Sequence, residues 1–152
     1  LRDGKRLDLG YGILQGGHVF NETLDYSRFV EGFEPLPHEF VFTKNNFSCY
    51  SNSAFGELLE SARQGAVYVM GYNLLMCCLS TIIEGQSRGH KLTFIEDASM
   101  AIATPNADEA AAHVHGVDLI ALYASVVDTE DVLRDESTRH MPMPQAYVRS
   151  PC

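Results

Sequence analysis

The sequence predicts an α/β domain built around a mainly parallel sheet, with helices layered on both faces. Two observations predict it. Short apolar runs rich in valine, isoleucine and aromatic residues alternate with longer segments of helical periodicity, the order that βαβ units produce. The stretch Gly65–Gly89 holds one such unit in compact form: an apolar run bounded by glycines, a sharp turn, then apolar residues at helical spacing. With 152 residues, 45% of them hydrophobic and 20% charged, the chain can bury one real core.

The elements follow in order. Residues 1–37 are rich in Gly, Asp and Asn and read mostly as loop, with a helical turn at Asp25–Val30 and an extended lead set by Pro35 and Pro37. Glu39–Thr43 reads as the first strand, with Lys44 at its carboxyl end. The polar and aromatic segment Asn45–Ser53 leads into a helix from about Ala54 to Gln64 that carries Phe55, Leu58, Leu59 and Ala62 on one face. Ala66–Met70 suits a strand buried on both faces of a parallel sheet. After Gly71-Tyr72-Asn73, the residues Leu75, Leu79, Ile82 and Ile83 mark a helix that Gly89 stops. Lys91–Ile95 is the next strand, ending at Glu96-Asp97. Pro105-Asn106 opens a helix to about Tyr123, with Asn106 as its N-cap. Ser125–Val127 reads as a short edge strand and Thr129–Leu133 as a last helical turn. Residues 1–134 therefore form one domain, and residues 135–152, with three prolines, form a disordered tail or an arm that wraps another subunit.

Charge and composition narrow the function classes. A net charge of −9 argues against a general nucleic-acid or anionic-membrane binder. No apolar run reaches the roughly 20 residues that span a bilayer, and no signal-peptide pattern opens the sequence. Cys49, Cys77, Cys78 and Cys152 are too irregularly spaced for a disulfide framework or a CxxC zinc site, so a reducing cytoplasm is expected. His18 and His38 have no partner at metal-ligand spacing, and His113 and His115, two apart on a helix, face different directions. Cys77 falls at a helix start just past the carboxyl end of a strand. It is either a small core residue or a thiol whose anion the unpaired N–H groups and the helix dipole favour. Those N–H groups could also stabilise an oxyanion formed when the sulfur attacks a carbonyl. Lys44 is either a solvated strand end or, on the ligand-binding rim of a parallel sheet, a neighbour of Cys77. Cys78 points about 100° away from Cys77 and reads as packing.

These residues carry a resemblance. The segment Gly71-Tyr-Asn-Leu-Leu-Met-Cys77-Cys-Leu-Ser-Thr81, the Glu96-Asp97-Ala98 triplet, the stretch Thr43-Lys44-Asn-Asn-Phe-Ser48-Cys-Tyr50 and the closing Val126–Val132 resemble the isochorismatase-like cysteine hydrolases over roughly residues 30–133. In that family a glycine precedes the cysteine by six residues and a threonine follows it by four, as Gly71 and Thr81 do here. The resemblance implies the isochorismatase-like fold with strand order 3-2-1-4-5-6. It implies Cys77 as nucleophile, Lys44 as a cation beside it, and a cis peptide between Tyr72 and Asn73. The turn would aim the Asn73 and Cys77 backbone N–H groups at the substrate oxygen, and Phe47 and Tyr50 would add a wall to the substrate pocket. Leu74 stands where the family usually has threonine.

The family's catalytic aspartate ends an apolar run near the N-terminus, and Asp3, Asp8 and Asp25 do not fit that pattern. The chain is therefore expected to begin near the end of the family's second strand. That would separate the Lys44 strand from the Cys77 strand and leave central edges open unless Leu9–Leu14 or a partner chain fills the gap. His18 is the one histidine in the region where metal-binding members place theirs, so neither a catalytic metal nor another cofactor is expected. The implied activity is hydrolysis of a C–N bond in a small amide or ureide through a thioester, since a cysteine nucleophile serves that reaction and vinyl-ether cleavage needs none. The alternative is a non-catalytic ligand-binding or interaction subunit of the same fold, lacking the general base. A redox role for the pair Cys77-Cys78 is disfavoured, because adjacent helix cysteines close a disulfide only by distorting the backbone. The resemblance also implies a homo-oligomer, dimer or tetramer, with a small-molecule amide as partner and neither nucleic acid nor membrane.

Overall fold

Helix and strand alternate from residue 49 onward in a computed structural model, which describes residues 29–62 and 65–134. A short 3-10 turn, Cys49–Ser51, is followed by α1 (Ser53–Ser61), β1 (Val67–Tyr72), a π turn (Leu74–Cys78) that runs directly into α2 (Leu79–Ser87), β2 (Leu92–Met100), α3 (Glu109–Ile120), β3 (Ser125–Val127) and α4 (Thr129–Arg134). Polar caps fix the helix starts: the Asn52 side chain accepts from Ala54 N–H, and the Asp108 side chain from Ala111 N–H. Gly89, at φ 78°, adopts the left-handed conformation that ends a helix after α2. The segment Leu9–Leu14, the start of the Asp25 turn and the tail 135–152 lie outside the described residues.

Among the described residues the sheet is parallel, in the order β1-β2-β3. Parallel strands joined by helical crossovers are the α/β architecture the alternation predicted. Phe94, Ile82, Leu74 and Ile120 are wholly buried, and Val69 and Phe55 nearly so, which places the core between the sheet, α2 and α3.

β2 runs four residues beyond the expected end at Glu96, and the reason is a bulge. Val69 pairs with Phe94 but Gly71 pairs with Ser99, so β2 carries extra residues against β1. The Ser99 hydroxyl holds the bulge closed, donating to Ile95 O at 2.8 Å and accepting from Gly71 N–H at 3.1 Å. Gly71 sits at φ 129°, a region open to glycine alone. The residues pushed outward are used: Glu96 O lies 3.1 Å from His113 Nε2, and Asp97 accepts from both the N–H and the hydroxyl of Thr129, capping α4. Those bonds hold the Asp97 carboxyl below its ordinary value.

Three expectations need correction. Residues 39–43 form no strand, because a strand needs a hydrogen-bonded neighbour and none of the described residues supplies one; Phe40 and Val41 are about half exposed. The rings of Phe40 and Phe42 still stack on one side, 6.2 Å apart, as alternate residues of an extended chain do. β1 is not buried on both faces: it buries Val69 but leaves Met70 and Tyr72 about half exposed. Asn106 is not an N-cap; Pro105-Asn106 occupy the tip of a turn closed by Thr104 N–H to Ala107 O at 2.8 Å, and α3 begins after Asp108.

Candidate active site

The site is built on the β1–α2 junction. Asn73 ends the strand, is fully buried, and its peptide bond with Tyr72 is cis. Its side-chain oxygen accepts from Leu75 N–H at 3.1 Å, while its carbonyl accepts from the N–H groups of Met76, Cys77 and Cys78 at 3.2, 2.9 and 3.2 Å. Three donors converging on one carbonyl wind the chain into the π turn, a form that often marks functional sites. The Asn73 side-chain nitrogen is buried and finds no hydrogen-bond partner among the described residues.

Two helical glycines let the surrounding elements close on this turn. At Gly116 of α3, a methyl group would stand 2.1 Å from Leu74 and 2.8 Å from Leu75 side-chain carbons, so α3 seats directly on the π turn. At Gly85 of α2, it would meet Leu92 at 2.5 Å and the Tyr50 hydroxyl at 2.9 Å.

The turn presents Cys77 to a small cavity and buries Cys78. Burial, and next the neighbouring Cys77, push the Cys78 thiol up to about 12, so it stays protonated. The cavity, about 30 Å³, is lined by Lys44, Cys49, Val69, Met70, Tyr72, Cys77 and Cys78. Burial raises the Tyr72 phenol above its ordinary value. Lys44 is 3% exposed and its ammonium donates to Asn46 O at 3.1 Å, Phe47 O at 3.2 Å and Cys77 Sγ at 3.3 Å. A buried ammonium needs such partners for its three N–H donors. Lys44 stands beside Cys77, where the resemblance put it, although no strand at residues 39–43 carries it; the loop after Lys44 folds back on the lysine's own head group.

The other candidate residues fall differently. The Cys77 N–H is committed to Asn73 O rather than open to a substrate oxygen. Phe47 takes part through its carbonyl. Tyr50 lines no part of this cavity: its ring packs edge-on against Phe55, 5.1 Å between centroids, and its hydroxyl lies 2.6 Å from His90 Nδ1. His90 Nε2 in turn meets Glu60 at 2.9 Å, so the buried phenol finds its partner away from Cys77, near Gly85 further along α2. Burial pushes the Tyr50 phenol up to about 12. A larger cavity, about 270 Å³, lies at the amino end of β1 beside His90 and Lys91, away from the thiol. Sequence reasoning missed Cys49 and Val69 as walls; the Ser48-Cys49-Tyr50 triplet after the lysine was the available signal. Asp3, Asp8, Asp25 and His18 lie outside the described residues, and among the described residues no three Cys, His, Asp or Glu side chains gather as metal ligands.

Comparison with known proteins matches residues 12–131 to the isochorismatase domain model. No curated protein sequence matches the chain. Among solved structures, a cysteine hydrolase from Pseudomonas syringae pv. phaseolicola 1448A is similar with a TM-score of 0.74 at 21% identity, over 88% of this chain and 64% of that one. An isochorismatase from Pseudomonas putida KT2440 gives 0.61 at 24% identity, over 68% and 56%. A pyrazinamidase/nicotinamidase from Streptococcus mutans UA159 gives 0.50 at 19% identity, over 58% and 46%. The chain thus spans between about half and two thirds of these structures, and at such identities the likeness carries the fold alone.

Proposed function

The chain belongs to the isochorismatase domain family of hydrolases, and from that membership we propose that it cleaves a C–N bond in a small amide or ureide through a thioester on Cys77. One observation carries the reading: the Lys44 ammonium, buried and held by two backbone carbonyls, lies 3.3 Å from the sulfur of a thiol that opens onto a cavity. A cation at that distance holds the sulfur in place for attack. The sulfur adds to the amide carbonyl, the C–N bond breaks as the amine leaves with a proton, and water then releases the acid from the thioester. Lys44 neutralises the sulfur before attack and after release. The oxyanion is stabilised by the backbone N–H group of Asn73, that of Cys77 being held by Asn73 O. In the family that the resemblance names an aspartate carries that proton, and Asp3, Asp8 and Asp25 do not fit its pattern. The cavity holds about two waters by volume, which suits a small planar head group whose remainder passes between Met70 and Tyr72. The same reading places the active form in a homo-oligomer, dimer or tetramer, in the cytoplasm.

A binding-only subunit is the second reading, favoured by one fact: among the described residues no carboxylate is hydrogen-bonded to Cys77. The experiment is ammonia release from a panel of small amides and ureides, with Cys77→Ala and Lys44→Met as controls, beside the rate of Cys77 alkylation. Turnover that both substitutions abolish is the expected result. Rapid alkylation with no turnover of any amide would establish the binding reading, and turnover surviving Cys77→Ala would refute the thioester.

A further inference from the structure

The cavity holds more sulfur than the hydrolytic reading uses. Cys49, Cys77 and Cys78 all line it, in a space of about 30 Å³. We propose that Cys77 is a site of reversible oxidation by hydroperoxides, with Cys49 as the thiol that resolves it into an intramolecular disulfide. The proposal concerns regulation of the site described above and rests on the reading of Cys77 as its reactive thiol.

Cys49 is held by its backbone against the helix that carries Cys77, and both line the cavity. The loop 44–49 touches the cysteine helix at both ends: Lys44 Nζ meets Cys77 Sγ at 3.3 Å, and Cys49 N–H donates to Thr81 Oγ1 at 3.0 Å. Thr81 is four residues beyond Cys77, one turn further along the same helix face, and it is wholly buried. The loop is therefore pinned at two successive points of the face that carries the nucleophile. Within it, Lys44 Nζ bonds to Asn46 O and Phe47 O, and the Ser48 hydroxyl accepts from Tyr50 N–H at 3.2 Å, which fixes the turn bearing Cys49. Tyr50, the next residue, is anchored on His90. Cys78 is the poorer partner: it follows Cys77 directly and points about 100° away around the helix.

The cavity's size selects the oxidant. Room for about two waters admits hydrogen peroxide or the head of a small alkyl hydroperoxide. The chemistry balances. The Cys77 thiolate attacks one peroxide oxygen; an S–O bond forms, the O–O bond breaks, and the departing oxygen takes a proton and leaves as water or alcohol. The Cys49 sulfur then attacks the Cys77 sulfur of the sulfenic acid, the S–S bond forms, the S–O bond breaks, and hydroxide leaves as water with the Cys49 proton. Two thiols are oxidised, one hydroperoxide is reduced, and the nucleophile is sealed until a dithiol reopens it.

The test treats the full chain with hydrogen peroxide and maps peptides without reduction, next to an untreated sample in which Cys77 alkylation by iodoacetamide is timed. The expected result is an intact mass lower by two hydrogens, a peptide pair joining Cys49 to Cys77, and reversal of both by dithiothreitol. In Cys49→Ser, or Cys49→Ala should that variant fold better, Cys77 should instead gain two oxygens and resist dithiothreitol. A wild-type chain that gains two oxygens at Cys77 without the crosslink, or that joins Cys77 to Cys78 or to a second chain, overturns the proposal. Fast alkylation with no Cys49–Cys77 link sinks the disulfide and spares the hydrolase reading; slow alkylation sinks the reactive thiol itself.

Discussion

Gly116→Ala separates two opposing effects at the contact that seats α3 on the nucleophile turn. In a helix interior alanine is favoured over glycine by about 1 kcal/mol, so propensity alone predicts a more stable protein. The added methyl, however, would lie 2.1 Å from the Leu74 Cδ2 and 2.8 Å from the Leu75 Cδ2. Leu74 is 0% exposed and has no open side toward which to rotate. Overpacking of this kind costs about 1–3 kcal/mol, so the net expectation is a loss of about 1 kcal/mol. For a chain of this size that corresponds to a fall of roughly 2–6 °C in melting temperature. Leu74 opens the turn that ends at Cys78, so relief of the clash also shifts Cys77 relative to Lys44, and Cys77 alkylation should slow several-fold. Calorimetry and a timed iodoacetamide reaction read the two effects. A variant that melts higher than wild type and alkylates at the same rate would refute the claim that the Gly116 contact sets the turn.

Two further outcomes follow from the same structure. His90→Phe leaves the buried Tyr50 hydroxyl without its partner and should cost about 1–3 kcal/mol in urea unfolding, with part of the loss recovered in the double variant Tyr50→Phe/His90→Phe. Alkaline pH should destabilise the fold, since Cys78 and Tyr50 titrate at about 12 when folded against 9.0 and 10.0 otherwise. Their raised folded values mean the unfolded chain releases these protons first, so stability is full below about pH 9 and falls between about 9 and 12. For Cys78 that amounts to something on the order of 4 kcal/mol across the whole range. Urea midpoints from pH 8 to 11 should fall less steeply in Cys78→Ala, and an unchanged slope would contradict the burial argument.

Much of the fold was legible in residue order because local chemistry decides it. Gly71 and Gly89 mark turns that only glycine takes easily, Asn52 supplies a side-chain cap, and the alternation of apolar runs with helical stripes leaves a parallel sheet as the economical solution. The sequence errors share one cause. Glu39–Thr43 has strand composition, but a strand is a property of a pair, and no neighbour among the described residues completes it. The β2 bulge was equally invisible, since it depends on the Ser99 hydroxyl reaching both Ile95 O and Gly71 N–H across two strands.

The candidate site divides along the same line. Spacing alone marked Lys44 and Cys77 as candidates and left a packing or solvated reading open for each; their pairing and the Tyr72–Asn73 peptide came from the family resemblance. Which side chains meet was settled only by tertiary structure. Lys44 reaches Cys77 because its loop folds back on its own ammonium, Cys49 joins them because its N–H finds Thr81, and Tyr50 leaves because a buried hydroxyl goes to the nearest partner, His90. The sequence specifies which groups are present and how the backbone turns at each; distance between groups remote in the chain is set by packing, where the cost of an unpaired buried polar atom outweighs any local preference.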